Sequence, residues 1–120
     1  MEYSIYKANV VKGQGLASKE LLPTLNLDTR CLPEDFKYGV YSCYVFLYGN
    51  RFPAMMHYGP RSTDSNISLE LHVIDLVLDV DFLDITFQPC TFIRDVMKFD
   101  SLQDLKKQLG FDLINIVNNV

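Results

Sequence analysis

Three groups of residues in this chain have types and spacings that could do chemistry. The first is Gly13-Gln14-Gly15, followed by Pro23-Thr24-Leu25-Asn26. Two glycines two residues apart let backbone N–H groups close on a phosphate. No G-K-[ST] ends the segment, so it is not a P-loop, and the third glycine of a dinucleotide fingerprint is missing. Thr24 and Asn26, two residues apart on an extended segment, face the same side and offer hard oxygen ligands suited to Mg²⁺. The same residue types also favour plain ST and Asx turns. The second group is Glu70 with His72. A carboxylate there can take a proton from a substrate hydroxyl within hydrogen-bond reach; the competing expectation is a solvated strand face. The third is Arg94, with Lys98 and Phe99 ahead of the C-terminal segment. Its guanidinium could clamp a phosphate or cover a planar ring, or be an ordinary surface charge. His57 lies between Met56 and Tyr58 in an apolar run and reads as a satisfied structural histidine. Two histidines without a third nearby ligand make no zinc case.

The elements that must position these residues are mostly strands. Residues 39–48 (GVYSCYVFLY) are rich in β-branched and aromatic side chains, which suit a pleated surface. Gly49-Asn50 follows as a hairpin signal before a second run from Arg51 to Tyr58, with Pro53 near a strand entry or edge. Residues 67–75 alternate: Ile67, Leu69, Leu71 and Val73 on one face, Ser68, Glu70, His72 and Ile74 on the other. Residues 4–12 and Leu83 to Phe87 are further strand candidates, the latter closed by Pro89. Residues 62–66 (STDSN) are a polar loop. Ser101-Leu102-Gln103-Asp104 is a capping-box-like start, and Leu102, Leu105, Leu109, Leu113 and Ile116 then form one helical stripe. Gly110 costs about 1 kcal/mol inside a helix and marks a point where it could break. Strands at short spacing followed by one amphipathic helix favour a closed antiparallel barrel with the helix packed on it.

Composition bounds the function. The chain has 120 residues, 48% of them hydrophobic, with 11 Lys and Arg against 15 Asp and Glu for a net charge of -4. That predicts one domain over residues 1–120. It argues against a nucleic-acid partner, because such binders present clustered cations. One nucleotide held with a metal ion stays compatible. The three cysteines lack C-x-x-C spacing, and Cys43 in its apolar run reads as a small hydrophobe. A start without a basic and apolar leader, and no long apolar run, predict a cytoplasmic chain off the membrane.

In order, these motifs resemble the riboflavin kinase family, including the kinase module of bifunctional riboflavin kinase/FAD synthetase. Val10-Val11-Lys12-Gly13-Gln14-Gly15 leads into Pro23-Thr24-Leu25-Asn26, which is similar to the family's P-T-A-N segment. Tyr38-Gly39-Val40-Tyr41 resembles its G-V-Y strand start. Gly59-Pro60-Arg61-Ser62-Thr63 stands where the family has a glycine and an R-P-T-like turn. Glu70-Leu71-His72 resembles its E-x-H strand, and Arg94, Lys98-Phe99, Ser101-Leu102, Gln108 and Asp112 resemble its closing helix.

The resemblance implies a six-stranded antiparallel Greek-key-like barrel with a C-terminal α-helix. It also implies ATP-dependent phosphorylation of the riboflavin 5′-hydroxyl to give FMN. By that resemblance Glu70 is the general base. Thr24 and Asn26 bind Mg²⁺ or another divalent cation and the ATP phosphates, Gly13 and Gly15 cover the nucleotide, and Arg94 borders the flavin. The expected partners are riboflavin and FMN, ATP and ADP, with the protein a monomer. Nothing resembles the H-x-G-H adenylyltransferase motif, so FAD synthesis is not expected. Leu16, Ala17, Ser18 and Leu21 stand where the family's loop carries glycines and basic residues. A non-catalytic flavin- or nucleotide-binding or interaction module on the same barrel is therefore the alternative. A kinase module cut from a longer FAD synthetase is a third reading. A Glu70 facing the same cavity as Thr24 and Asn26 would favour the kinase; a Glu70 in open solvent would not.

Overall fold

The computed structural model describes residues 3–11, 24–61, 66–74, 83–98 and 101–118. Within them lie six strands: β1 (Tyr6–Val11), β2 (Leu25–Leu27), β3 (Gly39–Leu47), β4 (Asn50–Pro60), β5 (Ile67–Val73) and β6 (Asp84–Arg94). A short 3₁₀ turn, Thr29–Cys31, follows β2, and one helix, α1 (Leu102–Asn118), follows β6. The strands close into a barrel in the order β1-β2-β5-β4-β3-β6, with every pairing antiparallel. Strands β3, β4 and β5 are consecutive neighbours and β6 returns beside β3, the Greek-key order. Closure removes the unpaired edges that an open sheet of these apolar strands would expose.

Strict alternation fills the interior. Leu69, Leu71 and Val73 of β5 meet Ala54, Met56 and Tyr58 of β4, and Tyr41, Cys43, Val45 and Leu47 of β3, all buried. Ile85, Phe87, Ala8 and Leu27 complete the core. Phe36 sits among Tyr3, Tyr6, Tyr41 and Tyr58, with ring centroids 5.4 to 6.1 Å apart. These are edge and tilted contacts of the kind that stabilise aromatic clusters. Cys31, Cys43 and Cys90 are free thiols, and burial pushes the Cys43 thiol well above its ordinary range.

Three elements differ from their sequence expectation. The β3–β4 turn is Tyr48-Gly49, not Gly49-Asn50: both have positive φ (54° and 76°), and Leu47 pairs with Asn50. A two-residue hairpin of this hand needs φ > 0 at both centres, so glycine takes the second and Asn50 joins the strand. Strand β6 runs through Pro89 to Arg94 instead of ending there. The register with β3 shifts between Ser42 and Cys43, opposite Pro89 and Thr91. The bulge accommodates the missing proline N–H, and Ser42 Oγ accepts the Thr91 N–H at 3.0 Å. Helix α1 is not broken at Gly110, which is exposed and has nothing near its missing Cβ. The propensity cost is offset by the packing of the apolar stripe, in which Ile116 is fully buried and Leu105, Leu109 and Leu113 are partly buried.

That stripe docks on the outside of the barrel. Ile116 is fully buried against Val40 and Met55, with Leu109, Ile74 and Ile93 packed around them. The helix starts where the sequence places it, since Ser101 Oγ accepts the Asp104 N–H at 3.1 Å.

Candidate functional site

Because strand side chains alternate, the apolar rows inside the barrel leave a second set of rows outside. Register makes one of these rows cross five strands. Asn26 of β2 pairs with Glu70 of β5, Glu70 with His57 of β4, His57 with Val40 of β3, and Val40 with Arg94 of β6. The neighbouring row brings Thr24 against His72, with Thr24 Oγ1 3.1 Å from His72 Nδ1. Thr24, Asn26, Glu70 and His72 therefore occupy one patch of the outer face, although 44 residues of sequence or more separate the two pairs. Glu70 keeps 22% of its side chain exposed, so it is accessible without standing in open solvent. His72 is buried.

The chemistry this patch offers follows from its donors. Directly opposed strand residues place their Cβ atoms within about 5.5 Å, so the Asn26 amide and the Glu70 carboxylate can reach the same ligand. If His72 Nδ1 is the acceptor, the Thr24 hydroxyl directs its proton to the ring and offers oxygen lone pairs outward. The two neutral oxygens suit a hard divalent cation carried with phosphates, and the carboxylate beside them suits a proton acceptor. No cluster of three or more His, Cys, Asp or Glu suited to a protein-caged metal occurs among the described residues.

Arg94 is engaged within the chain itself. Its Nε and Nη2 donate to Asp112 Oδ1 and Oδ2 at 2.9 and 2.8 Å, and its Nη1 donates to the Asp95 carbonyl at 2.8 Å. Gln108 Nε2 adds a bond to Asp112 Oδ1 at 3.1 Å. Asp112 is wholly buried, so the fork–fork pair ties α1 to the end of β6. The two-pronged geometry that suggested an anion ligand is used by a carboxylate of the chain itself.

His57 also departs from its expected role. Its Nδ1 is buried and has no hydrogen-bond partner among the described residues. It lies 3.7 Å from Glu70 Oε2. Burial, followed by the nearby Arg94 charge, holds its pKa down at about 4, so the ring is neutral near pH 7 and the contact is not an ion pair. Sequence reasoning passed over His57 because only the register of β4 against β5 sets it beside Glu70. Asp112 was visible as part of a motif, but its role as the Arg94 partner was not.

Gly13, Gly15, Leu16, Ala17, Ser18 and Leu21 lie outside the described residues, as do Pro23, Ser62, Thr63 and Phe99. Lys98 is exposed. A depression lined by Lys7, Ala8, Asn9, Asp28, Arg30 and Cys31 lies between β1 and the 3₁₀ turn that follows β2. Within it Arg30 and Asp28 are already paired, with Nη2 to Oδ2 at 2.6 Å. Among the described residues no helix is long and apolar enough to cross a membrane.

Comparison with known proteins adds three findings. The family model described as Flavokinase, riboflavin kinase, matches residues 2–119. Curated protein sequences give no match. Among solved structures, the crystal structure of a macrolide-efflux protein from Streptococcus pneumoniae is similar, with a TM-score of 0.79 and 26% identity. The match covers 95% of this chain and 38% of that chain, so this chain spans well under half the length of that neighbour.

Proposed function

The chain belongs to the riboflavin kinase family, and on that premise we propose that it transfers the γ-phosphate of ATP to the 5′-hydroxyl of riboflavin, giving FMN and ADP. The observation that carries the reading is the direct pairing of Glu70 with Asn26 on the outer face, beside Thr24 and His72. In phosphoryl transfer most of the catalysis comes from positioning and charge neutralisation. Thr24 and Asn26 would hold Mg²⁺ or another divalent cation together with the nucleotide phosphates. That cation supplies positive charge against the phosphate oxygens, which is how a chain of net charge -4 can take ATP. Glu70 accepts the proton of the 5′-hydroxyl. The hydroxyl oxygen bonds to the γ-phosphorus, the bond from that phosphorus to the bridging oxygen breaks, and ADP leaves. The segment of Gly13 and Gly15 is taken to cover the nucleotide. Arg94, paired with Asp112 of α1, would border the flavin with the start of that helix.

Incubation with riboflavin, ATP and a divalent cation, followed by chromatography for FMN, tests the proposal. Glu70→Gln keeps the shape but removes the base, and is expected to lower kcat by about 10²- to 10⁴-fold. Absence of FMN under varied cations, with no change on Glu70→Gln, would overturn it. Leu16, Ala17, Ser18 and Leu21, at positions where the family's loop has glycines and basic residues, favour a second reading: a barrel that binds flavin or nucleotide without catalysis. Riboflavin or ADP binding by titration, without turnover, would select it.

A further inference from the structure

We propose that His57 is a positioning residue that donates from its neutral Nδ1–H to Glu70 Oε2, aiming the other carboxylate oxygen at the substrate hydroxyl. The inference rests on the kinase reading and assigns a residue which that reading leaves without a role. Buried polar atoms are normally hydrogen-bonded, so an orphan in the core of a row needs an explanation. His57 Nδ1 is such an orphan, and the polar atom it approaches is Glu70 Oε2, at 3.7 Å. A swing of the carboxylate by roughly 0.9 Å makes a charge-assisted bond of about 2.8 Å. Catalytic hydrogen bonds often lengthen in the empty enzyme and tighten with substrate.

The surroundings keep the ring in the required state. Three charged groups face it: Glu70 from β5, Arg94 from β6 and Asp112 from α1. Burial and then Arg94 hold the ring neutral, against the weaker opposite pulls of its own backbone and of Asp112. A neutral imidazole can donate one proton but does not take up the one that Glu70 receives. The proton released by the hydroxyl therefore stays on the carboxyl, and His57 only orients it. The donated bond also favours the ionised form of Glu70, which is the form a base needs.

Two variants and one measurement on the unaltered protein test this. His57→Asn keeps a side-chain donor, whereas His57→Phe keeps bulk without one. His57→Phe is expected to lower kcat about tenfold with both KM values within twofold, and to raise the acid limb of the kcat–pH profile. His57→Asn is expected to restore kcat to within about threefold of the unaltered enzyme and to return the limb. An unchanged kcat and acid limb in His57→Phe, or equal losses in both variants, overturns the proposal. If neither variant folds, the ¹⁵N spectrum of the His57 ring decides. The neutral Nδ1–H tautomer supports the proposal, and the Nε2–H tautomer or an imidazolium at pH 7 overturns it. If the unaltered protein makes no FMN, the kinase reading fails by itself. The ¹⁵N spectrum of the His57 ring then still decides the pairing: the neutral Nδ1–H tautomer supports it, and the Nε2–H tautomer refutes it.

Discussion

Replacing Asp112 by asparagine removes the charge that fastens α1 to the barrel while changing almost nothing in volume. Asp112 is completely buried and receives three side-chain donors: Arg94 Nε and Nη2 at 2.9 and 2.8 Å, and Gln108 Nε2 at 3.1 Å. Arg94 is itself only 16% exposed along its side chain, so the substitution leaves a cation largely out of water without its counter-ion. Breaking one side of a buried pair costs about 3–5 kcal/mol. The lower end applies here, because asparagine can still accept one bond and Arg94 keeps the Asp95 carbonyl at 2.8 Å. For a domain of this length a loss of about 3 kcal/mol lowers Tm by roughly 10–15 °C. Calorimetry measures the shift, and native-state hydrogen exchange locates it: the amides of α1 are expected to open first and those of β3 and β4 last. Replacing both partners by apolar residues (Arg94→Met with Asp112→Leu) is expected to recover much of the loss, since neither charge is then stranded. A change below about 0.5 kcal/mol in Asp112→Asn refutes the reasoning. So does a double variant less stable than the single one.

Two further outcomes follow from the same packing. His57 titrates at about 4 in the folded chain against 6.5 for an unperturbed ring, so between those values the unfolded chain binds more protons. The stability tied to a neutral His57 is therefore complete above about pH 6.5 and lost as the pH falls towards 4, up to about 3 kcal/mol. Urea unfolding at pH 7.5 and 4.5 is expected to show a smaller acid loss in His57→Asn than in the unaltered protein, and an equal loss would contradict the assignment. At Gly39 a Cβ would run into the Phe92 ring and come within 2.9 Å of the Arg94 carbonyl. Gly39→Ala is accordingly expected to cost about 1–3 kcal/mol, visible as a lower urea midpoint with unchanged slope.

Much of the barrel was legible because each strand carries its own period. The alternation in residues 67–73 separates Leu69, Leu71 and Val73 from Glu70 and His72, and those three apolar residues do line the interior. The helix was legible from its cap at Ser101 and its stripe ending at Ile116. Pro89 misled because a bulge, which depends on the partner strand, lets β6 continue past a residue that normally ends pairing. The β3–β4 turn slipped by one residue because a Gly-Asn pair signals a hairpin without stating which residues take positive φ.

The sequence by itself determined that this chain forms strands with one apolar face and a C-terminal amphipathic helix, because period and capping are local properties. It also carried the family resemblance, through short motifs in order. Only the tertiary structure decided which outward-facing residues meet. Register, a non-local property set by how the inner rows interlock, put Glu70 between Asn26 and His57, and helix docking set Asp112 against Arg94. A one-residue slip in any pairing would have sent those side chains to the other face, so their company could not be read along the chain.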